Sequence, residues 1–167
     1  MKLFVYDLLL HPPHSLKTVL CTLYILIGGA SVAFADVNTA TVHSEMSRMP
    51  AKERLVYLRN ACDNAIGKDD EKQYDLLKIY IAEAQKQAST VDEMYGLKRL
   101  MCYYYNYDKD KQLHKELPDA MNKMIAYGYT DYYYELWSLM IEQHFYTEKI
   151  IQALSEAKEL FDDAKKR

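Results

Sequence analysis

Two short stretches gather the side chains best suited to recognising another molecule. "CYYYNYDKD", residues 102–110, places four tyrosines in five positions, and "TDYYYELW", residues 130–137, carries a second triplet. Tyrosine offers a broad apolar ring at low entropy cost, with a hydroxyl that wants a partner or water. It therefore suits a binding surface and a wet seam between helices equally well. A helix turns about 100° per residue, so three consecutive rings spread over roughly 200° and one face cannot bury them all. On the first helix a polar stripe runs through Asp92, Gly96, Arg99 and Asn106, and Tyr103 falls on it. Tyr104 and Tyr105 fall opposite, with Met94, Leu97 and Met101. On the second helix Tyr133 lies with Leu136, Trp137 and Met140, while Tyr132 and Tyr134 flank the boundary. The flanking tyrosines either pack between neighbouring elements or line a groove. In the second case Tyr103, Arg99, Tyr132 and Tyr134 form a partner-binding patch.

Other chemistry is sparse. There is no glycine-rich phosphate loop, no H-E-x-x-H and no G-x-S-x-G. His43, His114 and His144 are scattered, without a second metal ligand one turn away. His144 falls on an apolar face with Trp137 and Met140, as a core or seam histidine would. Asp108-Lys109-Asp110 has the start of a calcium loop, but Leu113 stands where that loop needs glycine and Asp119 where it needs glutamate. Met94, Met101, Met121, Met124 and Met140 recur at core spacing. The expectation is a protein that is not an enzyme and uses no metal or cofactor. Cys62 and Cys102 either pair in an oxidising compartment or serve as small buried residues, and sequence spacing does not choose between them.

These residues must be positioned by helices. Half of the 167 residues are hydrophobic, while glycine and proline number only five and four, too few for the turns of an all-β fold. The charge is balanced, at −3 overall, and nothing suggests nucleic acid, which wants a basic stripe. Residues 1–35 read as a secretory signal: Lys17, an apolar run, and Ala33-Phe34-Ala35 before a cleavage point. The competing reading is an uncleaved anchor, the one route by which this chain would engage a membrane. Residues 36–47 read as a flexible lead-in. From 48 to 167 the pattern is helical throughout. Pro50 suits a first turn, and Gly67 and Gly128 suit helix ends. Thr90 and Glu93 have the spacing of a capping box. Thr130 and Thr147 stand as further caps, and Pro118 must kink a helix or begin one. Six helices joined by short turns make about three antiparallel hairpins, all-α. Residues 40 apart share apolar character: Tyr57, Leu97 and Trp137; Ala61, Met101 and Ile141; Ala84, Met124 and Ala164.

"YYYELWSLMIEQHFYTEKIIQALSEAKELF" resembles a tetratricopeptide repeat, with Tyr134, small Ser138 and then Ile141 in its first helix and Ala157 late in its second. Ile150 stands where that family prefers alanine, and a spacing of 40 exceeds its usual length of about 34. The resemblance implies a short right-handed α-solenoid whose concave face binds a protein or peptide partner. A signal followed by irregular, tyrosine-rich helical repeats also resembles the periplasmic region of bacterial sensor histidine kinases. The expected function is a non-catalytic interaction module, exported to the periplasm or envelope of a bacterium. The alternative is the sensing region of a two-component protein, truncated before its membrane span and kinase.

Overall fold

Five consecutive helices are each 17 residues long and begin 20 residues apart. They are seen in a computed structural model that describes residues 39–67 and 70–166. In chain order the elements are α1 (Thr39–Ser47), α2 (Ala51–Ala65), α3 (Asp70–Lys86), α4 (Thr90–Asn106), α5 (Asp110–Ala126), α6 (Thr130–Tyr146) and α7 (Ile150–Lys166). The described residues are all-helical, with seven helices and no strand. None of these helices is long and apolar enough to cross a membrane. The expected export segment, residues 1–35, lies outside the described residues.

The 20-residue beat is set by the turns. Ala88, Asp108, Gly128 and Glu148 all have positive φ, between 51° and 78°. Each left-handed residue reverses the chain and lets the next amide reach back to the last turn. Ser89 N–H bonds Ala84 O at 2.9 Å, Lys109 bonds Tyr104 O at 2.8 Å, Tyr129 bonds Met124 O at 2.8 Å, and Lys149 bonds His144 O at 2.9 Å. These are Schellman closures, which satisfy the otherwise orphaned carbonyls of a helix end. The same residue then starts the following helix: the carbonyls of Ser89, Lys109, Tyr129 and Lys149 accept from residues 93, 113, 133 and 153.

This economy of turn corrects the expected caps. Ser89, not Thr90, is the N-cap of α4, and its hydroxyl donates to Asp92 at 2.6 Å instead of capping a backbone amide. Thr130 is the first residue of α6, and Thr147 ends that helix by donating to Gln143 O at 2.9 Å. Pro118 neither starts nor splits α5. It sits in mid-helix on the exposed face, where the backbone acceptor it leaves without an N–H partner lies near solvent. The lead-in is also corrected. Residues 39–47 are helical because Val42 and Met46, one turn apart, are buried and dock α1 on α3.

Each of α2 to α7 packs on the next, and α4 also packs on α6. One core runs through the contacts, with Leu58, Leu77, Tyr80, Met94, Leu100, Met101, Tyr104, Leu113, Leu117, Met124 and Leu136 almost wholly buried. Gly96 in α4 packs against α3: a Cβ there would lie 2.7 Å from Cγ1 of the Ile81 side chain, so a larger residue would force that side chain to shift.

Candidate functional site

Gly96 lies two turns from Tyr103 on the same side of α4. Counting it with the polar stripe would place Tyr103 outward. In the fold part of that stripe lies in the seam with α3: Asp92 accepts the Tyr80 hydroxyl, Gly96 meets Ile81, and Tyr103 is 5% exposed. The expectation of an outward Tyr103 is therefore corrected. A glycine contributes no polar side chain, so a face containing one is as fit for close packing as for solvent. Tyr104 is buried as expected, and Tyr105 is half-buried, donating to Glu142 of α6 at 3.1 Å.

Tyr103 instead walls a cleft of about 400 Å³ between α3, α4 and the start of α5. The Tyr74 ring lies 5.7 Å from that of Tyr103 and 6.2 Å from that of Tyr104, and the Tyr107 ring packs tilted against Tyr103 at 4.8 Å. The Tyr107 hydroxyl reaches Gln73 at 3.3 Å. Glu71 and Asp75 stand exposed on one rim, with Lys109 and Gln112 on the other. The Tyr104 hydroxyl donates to Glu116 of α5 at 3.1 Å. Burial first, then the Glu116 charge and Tyr74, hold its proton well above the usual phenol range, so it is a fixed donor at neutral pH. A larger cleft of about 750 Å³ lies between α1, α2 and α3. Its carboxylate, Glu83, is already engaged by Arg54 at 3.4 Å and Gln87 at 2.7 Å.

The four expected patch residues are not brought together. Arg99 turns toward α2, paired with Asp63 at 3.2 Å, where Tyr95 also donates to Asp63 at 3.1 Å and Arg59 lies 4.0 Å over the Tyr95 ring. Tyr132 stacks on Tyr129 at 5.8 Å and lies under Lys98 at 4.3 Å, while Lys98 pairs with Glu135 at 2.6 Å. Tyr134 faces α7, donating to Asp163 at 3.0 Å. Arg99 and Tyr132 thus stitch the alternate helices α2, α4 and α6, and Tyr134 stitches α6 to α7. Cys62 and Cys102 are free thiols. Burial, with Asp63 adding to it, pushes Cys62 up to about 12, and burial also raises Cys102, so neither supplies a thiolate at neutral pH.

No family model, curated protein or solved structure matches the chain. Among the described residues no group of three or more His, Cys, Asp or Glu is arranged to hold a metal ion. The cleft presents three aromatic faces, two exposed carboxylates and one ammonium around a small concavity.

The seams also reveal a periodicity that side-chain identity concealed. The Tyr104–Glu116 bond recurs 40 residues on as His144–Glu156, at 2.7 Å. The Tyr74–Tyr104 ring contact recurs as His114–His144, at 5.7 Å. The signal was a polar pair spaced by 12, the distance from the end of one helix to the second turn of the next.

Proposed function

We propose that the chain is a non-catalytic interaction module that binds a protein or peptide partner, built as a short tetratricopeptide-like solenoid and exported to the bacterial cell envelope. In this reading α2–α3, α4–α5 and α6–α7 are the three antiparallel hairpins. The 20-residue beat, the 40-residue recurrence of seam contacts and the packing of α4 on α6 support it. The observation that carries the binding role is the cleft of Tyr74, Tyr103 and Tyr104 with Glu71 and Asp75 on its rim. Aromatic faces beside carboxylates favour a cation, so the group received is a lysine or arginine side chain of the partner.

Selection of displayed peptides on the full-length chain tests this directly. Selected peptides should be enriched in Lys or Arg and should lose at least tenfold in affinity to Tyr74→Ala and to the double variant Glu71→Gln/Asp75→Asn. The two carboxylates are exposed, so the melting temperature of the double variant should hold. Equal binding by both variants would remove the cleft from consideration.

A further inference from the structure

Two contacts of the tyrosine cleft recur 40 residues on, between side chains of different chemistry: ring on ring and donor on carboxylate. Carrying each cleft residue forward by 40 turns Tyr74 and Tyr104 into His114 and His144, and Tyr103 into Gln143. The acidic rim, Glu71 and Asp75, becomes Lys111 and Lys115, and Lys109 becomes Lys149.

Gln143 supplies an independent observation. It is 5% exposed, and both its side-chain Nε2 and Oε1 are buried without a hydrogen-bond partner. Buried amides are nearly always satisfied, so an orphaned one marks a place where another group is expected. Tyr103, its counterpart, lines the first cleft. The two imidazoles are already oriented. His114 Nδ1 donates to Asp110 O at 2.8 Å, and His144 Nδ1 donates to Glu156. That leaves Nε2 of each ring as the nitrogen with no assigned bond. Glu156, the one carboxylate in this set, is held by His144 and by Gln152 at 2.9 Å. The ammonium groups of Lys111, Lys115 and Lys149 are exposed and enter no ion pair among the described residues.

We propose that His114, Gln143 and His144, ringed by Lys111, Lys115 and Lys149, form a binding site for an oxyanion, a carboxylate or a phosphate. The Gln143 amide donates to one oxygen, and the lysines supply attraction as point charges. The inference stands on the recurrence and on Gln143, and holds whatever the tyrosine cleft binds.

The test is an NMR titration of the full-length chain with sodium succinate and, separately, inorganic phosphate, against sodium chloride at matched ionic strength. The Gln143 side-chain NH₂ and the ring C–H signals of His114 and His144 should move saturably with at least one oxyanion and not with chloride. The tighter of the two names the source, carboxylate or phosphate. Lys111→Gln/Lys115→Gln/Lys149→Gln changes only exposed residues, and should weaken binding at least tenfold with the spectrum otherwise preserved. Shifts shared with chloride, or an unchanged affinity in that variant, would overturn the site. So would a response of both imidazoles to zinc chloride with none to either oxyanion, which would make the pair a metal clamp.

Discussion

Helices α4 and α7 are equal in length and both carry an apolar stripe, yet they end in opposite circumstances. Helix α4 buries Met94, Gly96, Leu100, Met101, Tyr103 and Tyr104. Helix α7 buries Ala153 alone, and Ile151 and Leu154 are 87% and 66% exposed. The difference is one of neighbours. Helix α4 packs on α3, α5 and α6, whereas the packing of α7 is chiefly on α6. An amphipathic stripe states what a helix can bury, and only an adjacent helix on that side turns it into stability.

The largest expected contrast follows from that. Met101→Ala should cost about 3 kcal/mol, because it opens a cavity among residues with no room to relax. Leu154→Ala should change stability by no more than about 0.5 kcal/mol, as exposed substitutions do. Urea unfolding of the two variants decides the matter, and comparable losses would mean that the α7 stripe is covered in solution.

The next test works by adding volume. Gly96→Val drives atoms against the Ile81 side chain between α3 and α4 and should cost about 1–3 kcal/mol by overpacking. An unchanged thermal midpoint would show that α3 and α4 can separate without penalty.

Smaller still is the seam hydrogen bond. Tyr104→Phe keeps the ring but strips Glu116 of its donor, for a loss of about 1 kcal/mol. Chemical denaturation would register it, and a neutral result would mean that Glu116 finds water instead.

The smallest effect is a pH dependence. Burial pushes Glu93 up, but hydrogen bonds from Lys123 and Gln85 outweigh it and hold the carboxyl below its usual 4.5. A depressed folded value means the unfolded chain binds the proton more readily. This contribution is therefore complete above 4.5 and is lost as pH falls through the folded value. Lys123→Met should flatten that acid-side loss, seen in melting temperatures taken across the interval. An identical profile would show that the pair is screened out by solvent.

Much of the helical plan was legible from residue order. Pro50, Gly67 and Gly128 mark real boundaries, and the spacing of 40 corresponds to two beats of 20. The misreadings have physical causes. Thr90 and Thr147 look like caps, but turns of three residues let one backbone position close a helix and open the next, so no side chain is needed. Val42 and Met46 lie in a short polar stretch whose helix is stabilised by docking on α3, a contact invisible locally. Of the expected patch, Tyr103 proved to be a cleft wall, while Arg99, Tyr132 and Tyr134 cross-link different helix pairs.

The amino-acid order by itself determined the helical content, the beat of the turns and which side chains are chemically able to recognise a ligand, because propensity and periodicity act over a few residues. The tertiary structure alone decided which stripe is a seam, because burial depends on the approach of a second helix. It also decided that His114 and His144 meet ring to ring as Tyr74 and Tyr104 do 40 residues earlier, since that likeness lies in contacts between helices and not in the identity of the residues.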